Sequence, residues 1–273
     1  MDLKRIITAL IGLPLVILLM VFGNSQVISF TIMLVALICM NEYFKVIEKI
    51  CKPIKWVGYL STIIIFLISV LPINIIESLI IFGSPVILLT LFLHIILTDM
   101  KFTFKDIAYT LLGITYITGY IMFLGLITVS QYGKTFLAYT FLVAWSTDVF
   151  AYIGGKYIGK HHFSKISPKK TIEGCVTGAV AATIVGVIFS IILSVNNVFT
   201  ISGLSYLYIG VLTLILSLIS QIGDFAASSI KRFADIKDYG NLLPGHGGML
   251  DRIDSLIFIA PFVYMLMKFV FAI

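Results

Sequence analysis

The stretch IITALIGLPLVILLMVF, residues 6–22, carries no charge, and comparable apolar runs recur along the whole chain. A helix rising about 1.5 Å per residue needs roughly 17–25 such residues to cross the ~30 Å hydrocarbon core of a bilayer. Lipid offers a backbone no hydrogen-bond partner, so a run buried in it must satisfy its amides and carbonyls internally, as a helix does. Spans are predicted at roughly 6–22, 27–40, 57–71, 79–97, 107–129, 135–153, 176–195, 206–224 and 255–272. The expected fold is therefore all-α: a polytopic integral membrane protein of about nine transmembrane helices. The first run resembles a secretory signal in length, but only Gly23–Gln26 separates it from the next apolar run, which favours a first span.

The chain has a formal net charge of +6, a balance that in a soluble protein would suggest nucleic acid. Its distribution argues otherwise. With nine spans, 17 of the 19 basic residues fall on one side, and only Lys134 and Lys268 fall on the other. The positive-inside rule then puts the N-terminus and the basic loops in the cytoplasm. No nucleic-acid partner is expected; anionic lipid or an anionic substrate is a second use for the charge. Cys39, Cys51 and Cys175 are scattered and form neither a disulfide framework nor a thiolate metal motif.

Residues 1–130 read as a scaffold of apolar helices, with possible oligomer contacts, whose one polar oddity is His94. Residues 131–273 read as the catalytic region, with cytoplasmic loops at 154–175 and 225–254. Asp148 lies inside the sixth span, just over a turn from its cytoplasmic end, and Tyr152 shares its helical face. A carboxylate at that depth usually faces a cavity or a partner. Gly154–His161 resembles a phosphate-binding P-loop but has His161 where the magnesium-binding hydroxyl belongs, and it follows a membrane helix rather than a strand. It is not one. In Ser167-Pro168-Lys169-Lys170, serine before proline signals a helix start, and two lysines beside free amides suit a phosphate.

The richest stretch is QIGDFAASSIKRFADIKDYGNLLPGHGGMLDRID, residues 221–254. If the eighth helix continues through it, Gln221, Asp224, Ser228 and Lys231 form one polar stripe. The helix is expected to break at Asn241–Gly245. His246, Gly247 and Gly248 follow, and Asp251 and Asp254 open the last helix on a shared face. Glycines admit a ligand close to backbone amides. Carboxylates at a helix entrance suit Mg²⁺, which prefers oxygen ligands and bridges to substrate phosphates. Arg232, Arg252 and the lysines would neutralise phosphate oxygens. Together these are the parts needed for phosphoryl or nucleotidyl transfer.

The pattern S-x-I-K-R-x4-K-D-x-G-x2-L-P-x-H-G-G-M-x-D-R-I-D, Ser228 to Asp254, resembles the signature of the phosphatidate cytidylyltransferase (CDP-diacylglycerol synthase) family at every specified position. The resemblance extends to D-x-x-A-Y-x-x-G at Asp148–Gly155, to S-P-K-K-T-x-E-G at Ser167–Gly174 and to Gln221-x-Gly223-Asp224. It implies an enzyme that joins CTP to phosphatidic acid with Mg²⁺, releasing pyrophosphate, in a bacterial-type plasma membrane with its active site facing the cytoplasm. It further implies Asp224 and Asp251 as metal ligands, and these two with Lys231, Arg232 and His246 as the catalytic set. Asp148, Lys169, Lys170, Ser228, Lys237, Asp238, Gly247, Gly248, Arg252 and Asp254 are implied as substrate contacts. A homodimer is compatible with the resemblance. The competing readings are a CTP-dependent polyprenol kinase, which would release CDP, and an ion-coupled transporter.

Overall fold

The computed structural model describes residues 3–68, 73–164, 166–198 and 203–269. Lys165, one of the basic loop residues, and the ends of the spans expected at 57–71 and 255–272 lie outside the described residues. The described residues are overwhelmingly helical and contain no strand, only two isolated bridges. The helices are α1 (Leu3–Phe22), α2 (Ser25–Ile47), α3 (Lys55–Ile68), α4 (Ile73–Leu97), α5 (Phe104–Gly113), α6 (Tyr120–Val129), α7 (Gly133–Ile158), α8 (Ile172–Val195), α9 (Gly203–Phe233) and α10 (Leu250–Phe269). A π-helical segment, Ile114–Gly119, joins α5 to α6 without a break. Among the described residues, five runs are long and apolar enough to cross a membrane: Ser25–Ile47, Phe104–Val129, Gly133–Ile158, Ile172–Val195 and Ser205–Phe233. The chain is an integral membrane protein.

It divides into two compact units. The first comprises Met1–Gln131 and Phe233–Ile253, the second Tyr132–Arg232 and Asp254–Ile273. In the first, α2 is the central element. Met40, Tyr43, Phe44 and Ile47 are fully buried with Ile107, Ile117, Ile121 and Ile127 of the α5–α6 run. Hydroxyl pairs tie the helices together where lipid would offer no partner: Ser29 with Thr128 (2.9 Å) and Thr62 with Thr118 (2.6 Å). The Tyr43 hydroxyl donates to the Tyr109 carbonyl just before the π segment. Asp106 closes a capping box with Thr103 and also accepts the Lys52 amide at 2.6 Å, which fixes the loop before α3 to the start of α5. His94 rests against the rings of Trp56 and Phe102.

The second unit depends on close helix contact. Gly174, Gly178, Ala182 and Gly186 recur every fourth residue on α8, the small-residue spacing that lets membrane helices approach. A Cβ at Gly178 would stand 2.7 Å from the Thr147 carbonyl oxygen of α7, and one at Gly223 of α9 would stand 2.8 Å from the Asp254 carbonyl oxygen of α10. Hydroxyls again bridge the helices. Tyr139 pairs with Thr213 at 2.7 Å, Thr147 with Ser217 at 2.7 Å, and the Gln221 amide donates to the Cys175 carbonyl at 3.1 Å.

Three local expectations are corrected. The helix α7 runs on to Ile158, so Asp148 lies ten residues before its end rather than just over a turn, and Gly154 is helical while Gly159 caps the helix, in keeping with the rejection of a P-loop there. Ser167-Pro168 does not start a helix. α8 begins at Ile172 under the Thr171 cap, whose hydroxyl oxygen accepts the Gly174 amide at 3.1 Å. Finally, α9 ends at Phe233, well before Asn241, because Asp235 adopts a left-handed φ of 52° that a helix cannot continue through and that Asp tolerates. Replacing Gly178 by leucine should push α7 and α8 apart and cost about 1–3 kcal/mol; a lower melting temperature of the detergent-purified protein is the readout.

Candidate active site

The polar residues singled out above gather in two groups, one in each unit. In the second unit the stripe on α9 is real. Gln221, Ser228 and Lys231 are buried and Asp224 half-buried, with the Ser228 hydroxyl donating to Asp224 Oδ1 at 3.4 Å. A buried lysine and carboxylate are tolerable together because each offsets part of the other's desolvation. Asp254, 7% exposed at the other side of the stripe, is within electrostatic reach of Asp224, Lys231 and Asp148. The Asp254 side chain also accepts the Ser255 amide at 2.8 Å, while the Ser255 hydroxyl donates to Asp148 Oδ2 at 3.4 Å. Asp148 and Tyr152 are exposed on α7. Three acids, a buried lysine and two hydroxyls thus face one another across α7, α9 and α10.

The loop between α7 and α8 completes this group. Lys170 forms an ion pair with Asp224 Oδ2, and its ammonium also lies over the Phe225 ring at 4.4 Å. Phe163 stacks on the same ring, with centroids 4.7 Å apart, and Arg232 Nε donates to the Ile166 carbonyl at 3.3 Å. The loop is itself braced. Phe163 N donates to Lys170 O and Ile172 N to His161 O, both at 2.9 Å, so its two ends run side by side. Glu173, in the first turn of α8, accepts the Lys160 and His161 amides and meets His161 Nδ1 at 2.5 Å. Lys169 points outward and is exposed.

In the first unit, Lys237 to Arg252 forms a tight turn leading into α10. Leu243 N donates to Gly247 O at 2.9 Å, and Gly245 and Gly247 take φ of 75° and 85°, conformations strained for any side chain. This is why the stretch carries glycines. Asp251 Oδ2 accepts the Tyr239 amide at 2.8 Å and the Gly248 amide at 3.0 Å, so this carboxylate holds the turn closed. The Gly248 amide is committed to that bond. His246 is half-buried, and its Nδ1 is enclosed without a hydrogen-bond partner. Lys237, Asp238 and Arg252 are exposed.

One residue in this group has no counterpart among the sequence candidates. Glu42 of α2, 5% exposed, accepts Met249 N at 2.9 Å and Leu250 N at 2.8 Å. In sequence Glu42 lies just past the apolar run 27–40 and reads as a loop acid; only the continuation of α2 to Ile47 makes it a buried helical residue. Glu173 stands in the S-P-K-K-T-x-E-G motif without a role assigned to it, and Phe225 carries no sequence signal; the part each plays is set by contacts.

A sequence model of the cytidylyltransferase family matches residues 3–270. The chain belongs to this family. A phosphatidate cytidylyltransferase of Staphylococcus haemolyticus is 32% identical over 270 residues, 96% of this chain and 98% of that protein. The Bacillus subtilis phosphatidate cytidylyltransferase is 39% identical over 181 residues, 66% of this chain and 65% of its own length. That of Staphylococcus aureus is 38% identical over 176 residues, 64% of each. The matched region thus spans just under two thirds of the latter two proteins and nearly all of the first. The two groups are therefore parts of a membrane nucleotidyltransferase, and each contains residues of the signature Ser228–Asp254.

The donor chemistry suits Mg²⁺. Among the described residues no three His, Cys, Asp or Glu side chains form a ready-made cage. That ion, however, is usually held by one or two carboxylates together with substrate phosphates, as the acids here allow. Asp224, moreover, already holds a cation in the form of the Lys170 ammonium. Replacing Asp251 by alanine would leave the Tyr239 and Gly248 amides without their acceptor, at about 1–3 kcal/mol; limited proteolysis should then cut within residues 234–249 at protease levels that spare the wild-type chain.

Proposed function

We propose that this cytidylyltransferase condenses CTP with phosphatidic acid to give CDP-diacylglycerol and pyrophosphate. The observation that carries the reading is the signature Ser228–Asp254, whose buried Ser228 and Lys231 continue the α9 stripe that Asp224 begins. A phosphatidate phosphate oxygen attacks the α-phosphorus of CTP, the bond from that phosphorus to the β-phosphate oxygen breaks, and pyrophosphate leaves with the electron pair. The nucleophile is already an anion near neutral pH, so the site needs cations and orientation more than a general base. It is correspondingly rich in lysine and arginine.

Asp224 and Asp251 are assigned as Mg²⁺ ligands, with Asp254 and Asp148 as helpers. The bound ion would supply a Lewis acid for phosphate oxygens, worth several kcal/mol of transition-state charge stabilisation. Lys170, held on Asp224 and the Phe225 face, is poised to exchange the carboxylate for a phosphate oxygen. Lys231 and Ser228 offer an ammonium and a hydroxyl from the same stripe, and Arg232 and Lys169 extend the cationic surface outward. Lys237, Asp238, Arg252, His246 and the Gly247–Gly248 turn belong to the substrate contacts.

CTP is water-soluble and phosphatidate is embedded, so the reaction belongs at a membrane interface open to lipid. The charge distribution supports nine spans, a cytoplasmic N-terminus and a cytoplasmic active site. A homodimer is compatible with this arrangement.

The purified protein with CTP, phosphatidate and Mg²⁺ should release pyrophosphate and form CDP-lipid; release of CDP with a phosphorylated lipid would overturn the reading. Asp224→Asn should lower kcat by ~10²-fold or more, since each tenfold is about 1.4 kcal/mol, and should raise the Mg²⁺ concentration needed for half-maximal rate. For orientation, Lys169→Cys in a chain with its native cysteines replaced by serine should react with an impermeant maleimide only once the inner membrane face is opened.

A further inference from the structure

We infer that Glu42 is a positioning residue for the catalytic signature, acting as a clamp on the start of α10. The inference rests on the reading of the chain as a cytidylyltransferase, but its geometry does not. The first amides of a helix have no intrahelical acceptor and must find one elsewhere. α10 begins at Leu250, and the residue before it, Met249, is the last of the H-G-G-M turn. Both amides donate to a single side chain from a helix more than two hundred residues earlier in sequence. Met249 N bonds Glu42 Oε1 at 2.9 Å, and Leu250 N bonds Oε2 at 2.8 Å. One oxygen per amide is a fork that only a carboxylate supplies in full, and the negative charge sits at the positive end of the helix dipole.

Two glycines of the signature leave this carboxylate its room. A Cβ at Gly248 would stand 2.6 Å from Glu42 Oε2, and a Cβ at Gly240 would stand 2.9 Å from Oε1. The signature glycines Gly240 and Gly248 are thus required by Glu42, in addition to any approach of substrate. Gly248 N, in the same turn, donates to Asp251 Oδ2. Consecutive amides 248, 249 and 250 are therefore shared between two carboxylates: Asp251, from the signature, takes the first, and Glu42, from the scaffold, takes the other two. Glu42 is 5% exposed, so these bonds compete with little water. α2 is held in its own core by Tyr43 and Phe44, both fully buried next to Glu42 in sequence. The clamp consequently fixes the turn carrying His246 and Asp251 to a rigid element, and a scaffold helix takes part in setting the active-site geometry.

The test uses full-length protein in detergent, with Glu42→Gln, Glu42→Ala and Gly248→Ala. Glutamine retains an acceptor for one amide and turns an NH₂ group toward the other; alanine retains neither. Activity should fall in the order Glu, Gln, Ala, with kcat reduced roughly tenfold or more in Glu42→Ala, the range seen when partners that orient catalytic ligands are removed. Amide hydrogen exchange should accelerate at Met249 and Leu250 in all three variants, while the α7 and α8 amides keep their wild-type protection. Gly248→Ala keeps the carboxylate but displaces it, and should show the same local signature. Wild-type kcat in Glu42→Ala would overturn the inference. So would equal losses in Gln and Ala accompanied by faster exchange throughout the helices, which would make Glu42 a residue of global folding. If the wild-type protein makes no CDP-lipid, the assigned reaction falls, whereas unchanged exchange at residues 249–250 in the variants would remove the clamp itself.

Discussion

Every charge that this chain brings into its apolar interior must meet a partner, because neither lipid nor packed side chains can solvate it. An isolated carboxylate or ammonium moved out of water loses several kcal/mol even after the protein relaxes. That constraint organises the polar half of the structure. Asp224 is met by Lys170 and Ser228, Asp251 by two backbone amides and Glu42 by two more. The same logic, in weaker form, explains the hydroxyl pairs between membrane helices.

The two carboxylates at the α10 entrance divide the work in a way that residue type alone would not suggest. Asp251 belongs to the signature and closes the glycine turn, whereas Glu42 belongs to an apolar helix and holds the turn from outside. The glycines serve both. Left-handed φ at Gly245 and Gly247 bends the chain, and the bare Cα of Gly248 leaves room for the Glu42 carboxylate. In the second unit the loop after α7 behaves similarly. Its lysine meets Asp224 while Phe163 and Lys170 share the Phe225 ring and Glu173 gathers the loop's first amides. A lysine of the loop is thereby held in place on a frame of aromatic and amide contacts.

The wide difference between the two ends of the chain in chemical content also follows from this requirement. Polar residues cluster at helix ends and in the loops joining them, and the interior of each unit is closed by small residues, aromatic rings and hydroxyls. Gly178 and Gly223 mark the places where backbones touch, since even a methyl group would collide with a neighbouring carbonyl. A membrane protein built this way keeps its lysines and acids partnered while its helices pack closely.

Much of this was already written in the sequence. The apolar runs determined an all-helical membrane protein, since lipid permits a backbone no other open structure. The helical spacing of Gln221, Asp224, Ser228 and Lys231 determined a shared face, and the mixed signature Ser228–Asp254 marked the reaction class. Helix ends were less legible. Asp235, an unremarkable residue in sequence, ends α9 through a left-handed backbone, while the more conspicuous Asn241–Gly245 lies beyond it. Only the tertiary structure decided who neutralises whom. Lys170 on Asp224 spans 54 residues and Glu42 on Leu250 spans 208, and no periodicity connects positions so far apart. Local pattern fixes which face a side chain occupies, but the partner that makes its burial tolerable comes from wherever the packed helices bring one.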